Sequence, residues 1–361
     1  DAIGGIVFTG AVLLLLAAVA FHLVRRIPQA GALSAPLSRG LFLPWRTLAD
    51  PAAAFLSPAG GTAWTRLDWL LAAAAAAAAY ALLALPGSPV PLGLDTVADF
   101  ARARDCVEGP CRLEGPVSSL GDLRHGAAWI LLLSACKHLG LGVAAVQQLA
   151  MALHAAAAGV LYLLAARLFG RRAGVLAALA GAGLAASLAQ LPMLWTPTPA
   201  PLPLALWMLG TVLLVDTGRT RWAVFAGVAL GLSCDSHIAN LLLFPLFAGI
   251  LAAGARSPMA AVPAGIAAAV AVTLVVSHDS HAINLPRLAD QGRLWPAAGA
   301  VLAAWVAGLL VRRPLREARS PAVHTLLAAC LWWLLALLVL RSEGIIRSYY
   351  WLALVPAAAA L

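Results

Sequence analysis

Ala127-Ala128-Trp129-Ile130-Leu131-Leu132-Leu133-Ser134-Ala135-Cys136-Lys137-His138-Leu139-Gly140-Leu141 is the stretch on which the fold turns. It is apolar enough to be taken for a membrane span. A crossing here, however, would reverse the side on which every later arginine cluster falls. Short loops on the cytoplasmic side of a membrane protein hold the excess of Lys and Arg. The clusters Arg25, Arg26, Arg39, Arg46 and Arg66; Arg167, Arg171 and Arg172; Arg219 and Arg221; Arg256; and Arg312, Arg313, Arg316 and Arg319 occupy every second connection only if residues 127–141 do not cross. The stretch is therefore read as a helix lying on the outer surface, its Lys137 and His138 reaching into the headgroups.

The rest of the chain supports a bilayer setting. Apolar residues make up 62% of the 361 and charged residues 11%, outside the range of soluble globular domains. About eleven apolar runs are long enough to span at about 20 residues each, and none shows the period-2 alternation of a membrane barrel. The fold class expected is all-α: a polytopic membrane bundle of about eleven spans with one long extracytoplasmic loop containing surface helices. Two regions are expected: 1–66, an N-terminal span with a Pro/Ala/Gly-rich cytoplasmic connection, and 67–361, the main transmembrane domain. The chain begins without methionine and stops in an apolar run, so it reads as an excerpt of a longer protein. The basic excess is a topology signal, and nucleic acid is not an expected partner.

The long outer loop, from Pro86 to about Gly142, holds most of the polar chemistry. Asp95, Asp99 and Arg102 fall at helical spacings of four and three, so one face of a short helix presents two carboxylates and a guanidinium. Asp95 follows the apolar Pro91-Leu92-Gly93-Leu94. It reads either as an N-cap or as a carboxylate poised at the membrane edge for general-base work. Cys106 and Cys111 flank the turn sequence Val107-Glu108-Gly109-Pro110 and are a candidate disulfide. His125 follows Gly121-Asp122-Leu123-Arg124 and reads as either a site residue or a cap.

Two tetrapeptides resemble each other, Cys234-Asp235-Ser236-His237 and His278-Asp279-Ser280-His281, both at outer ends of apolar runs. Asp235 and His237 are candidates for a substrate-facing cluster. His278, Asp279 and His281 are of the types that bind a divalent metal ion, a possible cofactor, although hydrated helix ends use the same residues. Arg347 with Tyr349, near the start of the last apolar run, offers a clamp for a lipid phosphate beside an aromatic belt.

The order of these pieces resembles the GT-C class of membrane glycosyltransferases, in the branch of the protein O-mannosyltransferases and lipid A aminoarabinose transferases. The resemblance runs from about Asp95 to Pro356. It is carried by Asp95 at the opening of the first large outer loop; Arg124-His125-Gly126-Ala127-Ala128-Trp129 before a surface helix; Gly140-Leu141-Gly142 leading to Gln147 and Gln148; Leu161 through Arg172; Pro192; and Arg347-Ser348-Tyr349-Tyr350 with Pro356. It implies a polyprenyl-phosphate-linked sugar as donor, a lipid, glycan or protein acceptor, and inverting transfer on the extracytoplasmic face of a bacterial inner (plasma) membrane. It also implies that Asp95 acts on the acceptor hydroxyl and that Arg347 meets the donor phosphate, with Arg102 or Arg104 assisting. The other readings are a transporter or lipid flippase, and a noncatalytic scaffold of the same architecture. A transporter is expected to show inverted repeats meeting at midplane charges, whereas the acids here gather at the outer ends of the runs.

Overall fold

The computed structural model describes residues 64–84, 93–118, 123–187, 194, 196–290, 292, 294–317, 321–325, 328–329 and 332. The described chain is predominantly helical, with no strand among the described residues and a single antiparallel bridge between Val117 and Arg124. Arg347, Tyr349 and nearly all of the expected N-terminal region lie outside the described residues.

The helices are α1 (Arg66–Ala84), α2 (Leu94–Glu108), α3 (Ala128–His138), α4 (Val143–Phe169), α5 (Arg171–Ser187), α6 (Pro201–Thr217), α7 (Thr220–Ser236), α8 (Leu243–Gly254), α9 (Pro258–Val276), α10 (His278–Asp290) and α11 (Leu294–Glu317). A 3₁₀ turn, Ile238–Leu242, separates α7 from α8. Among the described residues, four segments are long and apolar enough to cross a membrane: α1, α4, α9 and Trp295–Arg312 of α11. The apolar helices α6 and α8 are shorter. α3, the decisive stretch, has 11 residues, about 16 Å at 1.5 Å per residue, against a hydrocarbon core of about 30 Å.

Packing explains how such an alanine-rich sequence coheres. Trp207, Leu204 and Met208 of α6, Leu164 of α4, Leu230 of α7 and Phe247 of α8 are buried in one apolar core. At other places the helices meet through small residues. A Cβ at Gly227 of α7 would stand 2.2 Å from the Gly265 carbonyl oxygen of α9, and one at Gly308 of α11 would stand 2.1 Å from the Gly249 carbonyl oxygen of α8. Such backbone approach is how helices gain van der Waals contact where no solvent drives them together.

A separate cluster fixes the segment between α1 and α4. Trp129, Ile130, Leu133 and Cys136 lie on one face of α3 and are buried against Ala103 and Phe100 of α2, Val146 and Ala150 of α4, and Leu194. This seats α2 and α3 on the ends of the longer helices. The Cys106–Cys111 disulfide closes the turn after α2. Lys137, expected among headgroups, pairs instead with Glu108 of α2 at 2.7 Å. A carboxylate on the neighbouring helix offers the ammonium a fixed partner in place of a phosphate.

Candidate functional site

Helix α2 starts at Leu94 with Gly93 as N-cap and no side-chain cap, so Asp95 lies in the first turn and not at the capping position. Its neighbour Thr96 is buried, Asp95 itself is exposed, and Asp99 one turn later is 0% exposed. Thr196 Oγ1 donates to Asp99 Oδ2 at 3.0 Å, and Arg102 Nη1 stands 3.6 Å from Asp99 Oδ1. Burial pushes the Asp99 carboxyl up to about 6, against the pull of the Thr196 hydrogen bond and the Arg102 charge; the charge of Asp95 adds to the rise. The face predicted from spacing thus carries two carboxylates of different character, one open to solvent and one held under cover. Arg104 turns the other way and pairs with Asp105 and Glu108, each at 3.6 Å.

The raised Asp99 value sets a pH dependence. A carboxyl whose folded value lies above its unfolded one binds its proton more tightly when folded, so stability is lost as pH rises from 3.8 through about 6, amounting to about 3 kcal/mol. His125, His237 and His281 act in the opposite sense. Burial pushes His125 down to about 4 and His237 to about 3, with the His125 charge contributing to the latter, and it lowers His281 as well. Their contribution is lost as pH falls below 6.5. Melting the wild type beside Asp99→Asn in detergent between pH 4 and pH 7 separates the two effects. The variant is expected to gain about 3 kcal/mol on the wild type across that range, and a constant difference contradicts the burial argument.

The second cluster is built from three parts of the chain. Residues 113–118 and 123–127 run antiparallel as the two arms of a narrow hairpin, in which Gly115 N–H donates to the His125 carbonyl, His125 N–H to the Pro116 carbonyl and Ser118 N–H to the Leu123 carbonyl. This hairpin lies on one face of the α9–α10 corner. Ala127 N–H donates to Ser277 Oγ at 2.7 Å, Gly115 N–H to Ser280 Oγ at 3.0 Å, Arg124 N–H to Asn284 Oδ1 at 2.8 Å and Leu113 N–H to Asp279 Oδ2 at 2.6 Å. In return Ser280 Oγ donates to the His125 carbonyl at 2.7 Å and Asn284 Nδ2 to the Arg124 carbonyl at 2.9 Å. Ser277, Asn284 and Asp279 thus pair backbone groups of Ala127, Arg124 and Leu113, while Ser280 reinforces the Gly115–His125 pair.

Beneath the hairpin the two tetrapeptides meet. Asp235, 1% exposed, accepts from Ser277 Oγ at 3.0 Å, and His281 Nε2 lies 4.0 Å from Asp235 Oδ1. The His125 and His237 rings meet edge to face with centroids 5.6 Å apart. His125 Nδ1 accepts from Ile238 N–H at 3.5 Å and His237 Nδ1 from Ala239 N–H at 3.2 Å, so each neutral ring carries its proton on Nε2. His125, Asp235, His237 and His281 are therefore one cluster, although far apart in sequence.

Comparison with family models, curated proteins and solved structures finds no match to this chain. Among the described residues no group of three or more His, Cys, Asp or Glu side chains is arranged to hold a metal ion. His278, Asp279 and His281 do not converge as the expected ligand set. Asp279 is taken by the Leu113 amide, His278 is exposed beside it, and His281 turns toward Asp235. Sequence reading missed Thr196, Ser277, Ser280 and Asn284. The last three follow helical spacings of three and four, the one pattern that announced a polar face there.

Proposed function

We propose that this chain is a membrane glycosyltransferase of the GT-C kind, built on about eleven spans, that moves a sugar from a polyprenyl monophosphate to an acceptor at the outer face. The observation that carries the reading is Asp95: an exposed carboxylate in the first turn of α2, one turn from the buried Asp99 and two turns from Arg102. The element order supports it too, because a membrane-length helix is followed by a folded segment with two short helices and then by another membrane-length helix.

The chemistry follows from these groups. Asp95 accepts the proton of an acceptor hydroxyl as that oxygen bonds to the anomeric carbon, while the bond from this carbon to the phosphate oxygen breaks on the opposite face. The configuration inverts, and the leaving group is a polyprenyl monophosphate whose added charge needs cations. Arg102, partly exposed beside Asp99, is the nearest described guanidinium on the same helix face; Arg347 is the further candidate. Incubating the protein in nanodiscs with polyprenyl monophosphate sugars and a membrane-lipid acceptor fraction tests the reading by mass spectrometry. Accumulation of free polyprenyl monophosphate together with a sugar-bearing acceptor is the expected result, and an unchanged lipid profile opposes the proposal.

A further inference from the structure

The arginine clusters, scattered in sequence, converge on one end of the helix bundle. Arg171 Nε bonds Asp68 Oδ1 at 2.7 Å, joining the start of α5 to the start of α1. Arg167 Nε bonds Asp216 Oδ2 at 2.7 Å, joining the end of α4 to the end of α6. Arg256 N–H donates to the Gly218 carbonyl at 2.9 Å, and Arg312 Nη2 donates to the Arg256 carbonyl at 2.7 Å, which brings in the α8–α9 connection and the end of α11. These contacts use up Asp68 and Asp216. Arg66, Arg172, Arg219, Arg221 and Arg256 remain exposed, and no described carboxylate lies within ion-pair distance of them.

Tryptophans ring the same end. Arg167 lies over Trp64 at 5.3 Å, Arg221 lies over Trp222 at 5.0 Å, and Trp69 is 54% exposed. Indoles prefer the depth at which lipid headgroups meet hydrocarbon. Cationic side chains at that depth attract anionic headgroups by their charge. An acidic protein segment would meet the charge without using the indoles, which are placed for a bilayer surface.

We propose that this arginine end is a binding surface for anionic phospholipid headgroups, formed chiefly by Arg172, Arg219, Arg221 and Arg256 with Trp69 and Trp222 at its rim. The surface stands at the opposite ends of α1 and α4 from Asp95, and it is independent of the transferase reading. Each basic residue near an anionic lipid surface contributes about fivefold in affinity, so removing three lowers it about a hundredfold.

The test is native mass spectrometry of the purified chain in detergent, titrated with short-chain phosphatidylglycerol or phosphatidylcholine. The wild type is expected to bind phosphatidylglycerol saturably and more tightly than phosphatidylcholine. The triple variant Arg172→Gln, Arg219→Gln, Arg221→Gln is expected to lose that preference, whereas the same three changed to lysine keep it. Arg112→Gln with Lys137→Gln, on the segment at the other end, is expected to bind as the wild type does. Equal affinity for the two lipids in the wild type, or undiminished preference in the glutamine variant, overturns the proposal. So does loss of the preference in the lysine variant or in the other-end control.

Discussion

Gly126→Val is expected to undock the hairpin arms 113–118 and 123–127 and lower stability by about 3 kcal/mol, near the upper part of the range for overpacking a close contact. A Cβ at Gly126 would stand 2.5 Å from Asp235 Cα and 2.6 Å from both its carbonyl oxygen and Oδ1. Two of these three atoms are backbone, in the last turn of α7, so no side-chain rotation relieves the clash. The hairpin has to move away, and with it go the bonds from Ala127, Gly115 and Arg124 to Ser277, Ser280 and Asn284. Thermal melting in detergent with amide exchange at Gly115, His125 and Ala127 checks this. Gly142→Ala serves as the control, because nothing lies within 4 Å of a Cβ there and its backbone is extended. A valine variant that melts and exchanges like the control contradicts the packing described.

The largest functional effect is expected at Asp95. Asp95→Asn keeps the size of the side chain and removes its ability to take a proton, and loss of a positioned general base costs 10² to 10⁴ in rate, roughly. Asp99→Asn is expected to cost less. Its carboxyl is buried under Thr196 and out of reach of an acceptor, so its influence passes through the seating of α2 and the charge felt by Asp95. The two variants thus separate an acid that touches substrate from one that positions its neighbour. Equal rates for Asp95→Asn and the wild type would remove Asp95 from the chemistry, whatever Asp99→Asn does.

Much of the helical organisation was legible in the sequence because hydropathy and length report directly on burial in a helix. The stretch 127–141 is one case: it read as a helix, and α3 is an 11-residue helix packed by one face on α2 and α4. The face of α2 was legible too, since spacings of four and three place Asp95, Asp99 and Arg102 in line. What spacing did not reveal was burial. Thr196, nearly a hundred residues away, covers Asp99, and only tertiary packing decides which of two acids is exposed.

The second cluster was half visible. The resemblance between residues 234–237 and 278–281 marked the right segments, but metal chemistry was the wrong guide to their geometry. Asp279 faces the backbone of the hairpin because a short carboxylate at the start of a helix readily accepts an amide. Ser277, Ser280 and Asn284 escaped notice for the opposite reason. They are neutral groups, and their partners, the backbone of a neighbouring hairpin and, for Ser277, Asp235, come together only in the fold.

The most direct test of the transferase account is made in proteoliposomes holding equal amounts of the wild type or Asp95→Asn, supplied with radiolabelled sugar on a polyprenyl monophosphate and a membrane-lipid acceptor fraction. The account predicts label leaving the carrier for an acceptor in the wild type, with transfer reduced at least about a hundredfold in the variant. Transfer at the same rate from both, or none from the wild type while the carrier stays intact, would contradict it.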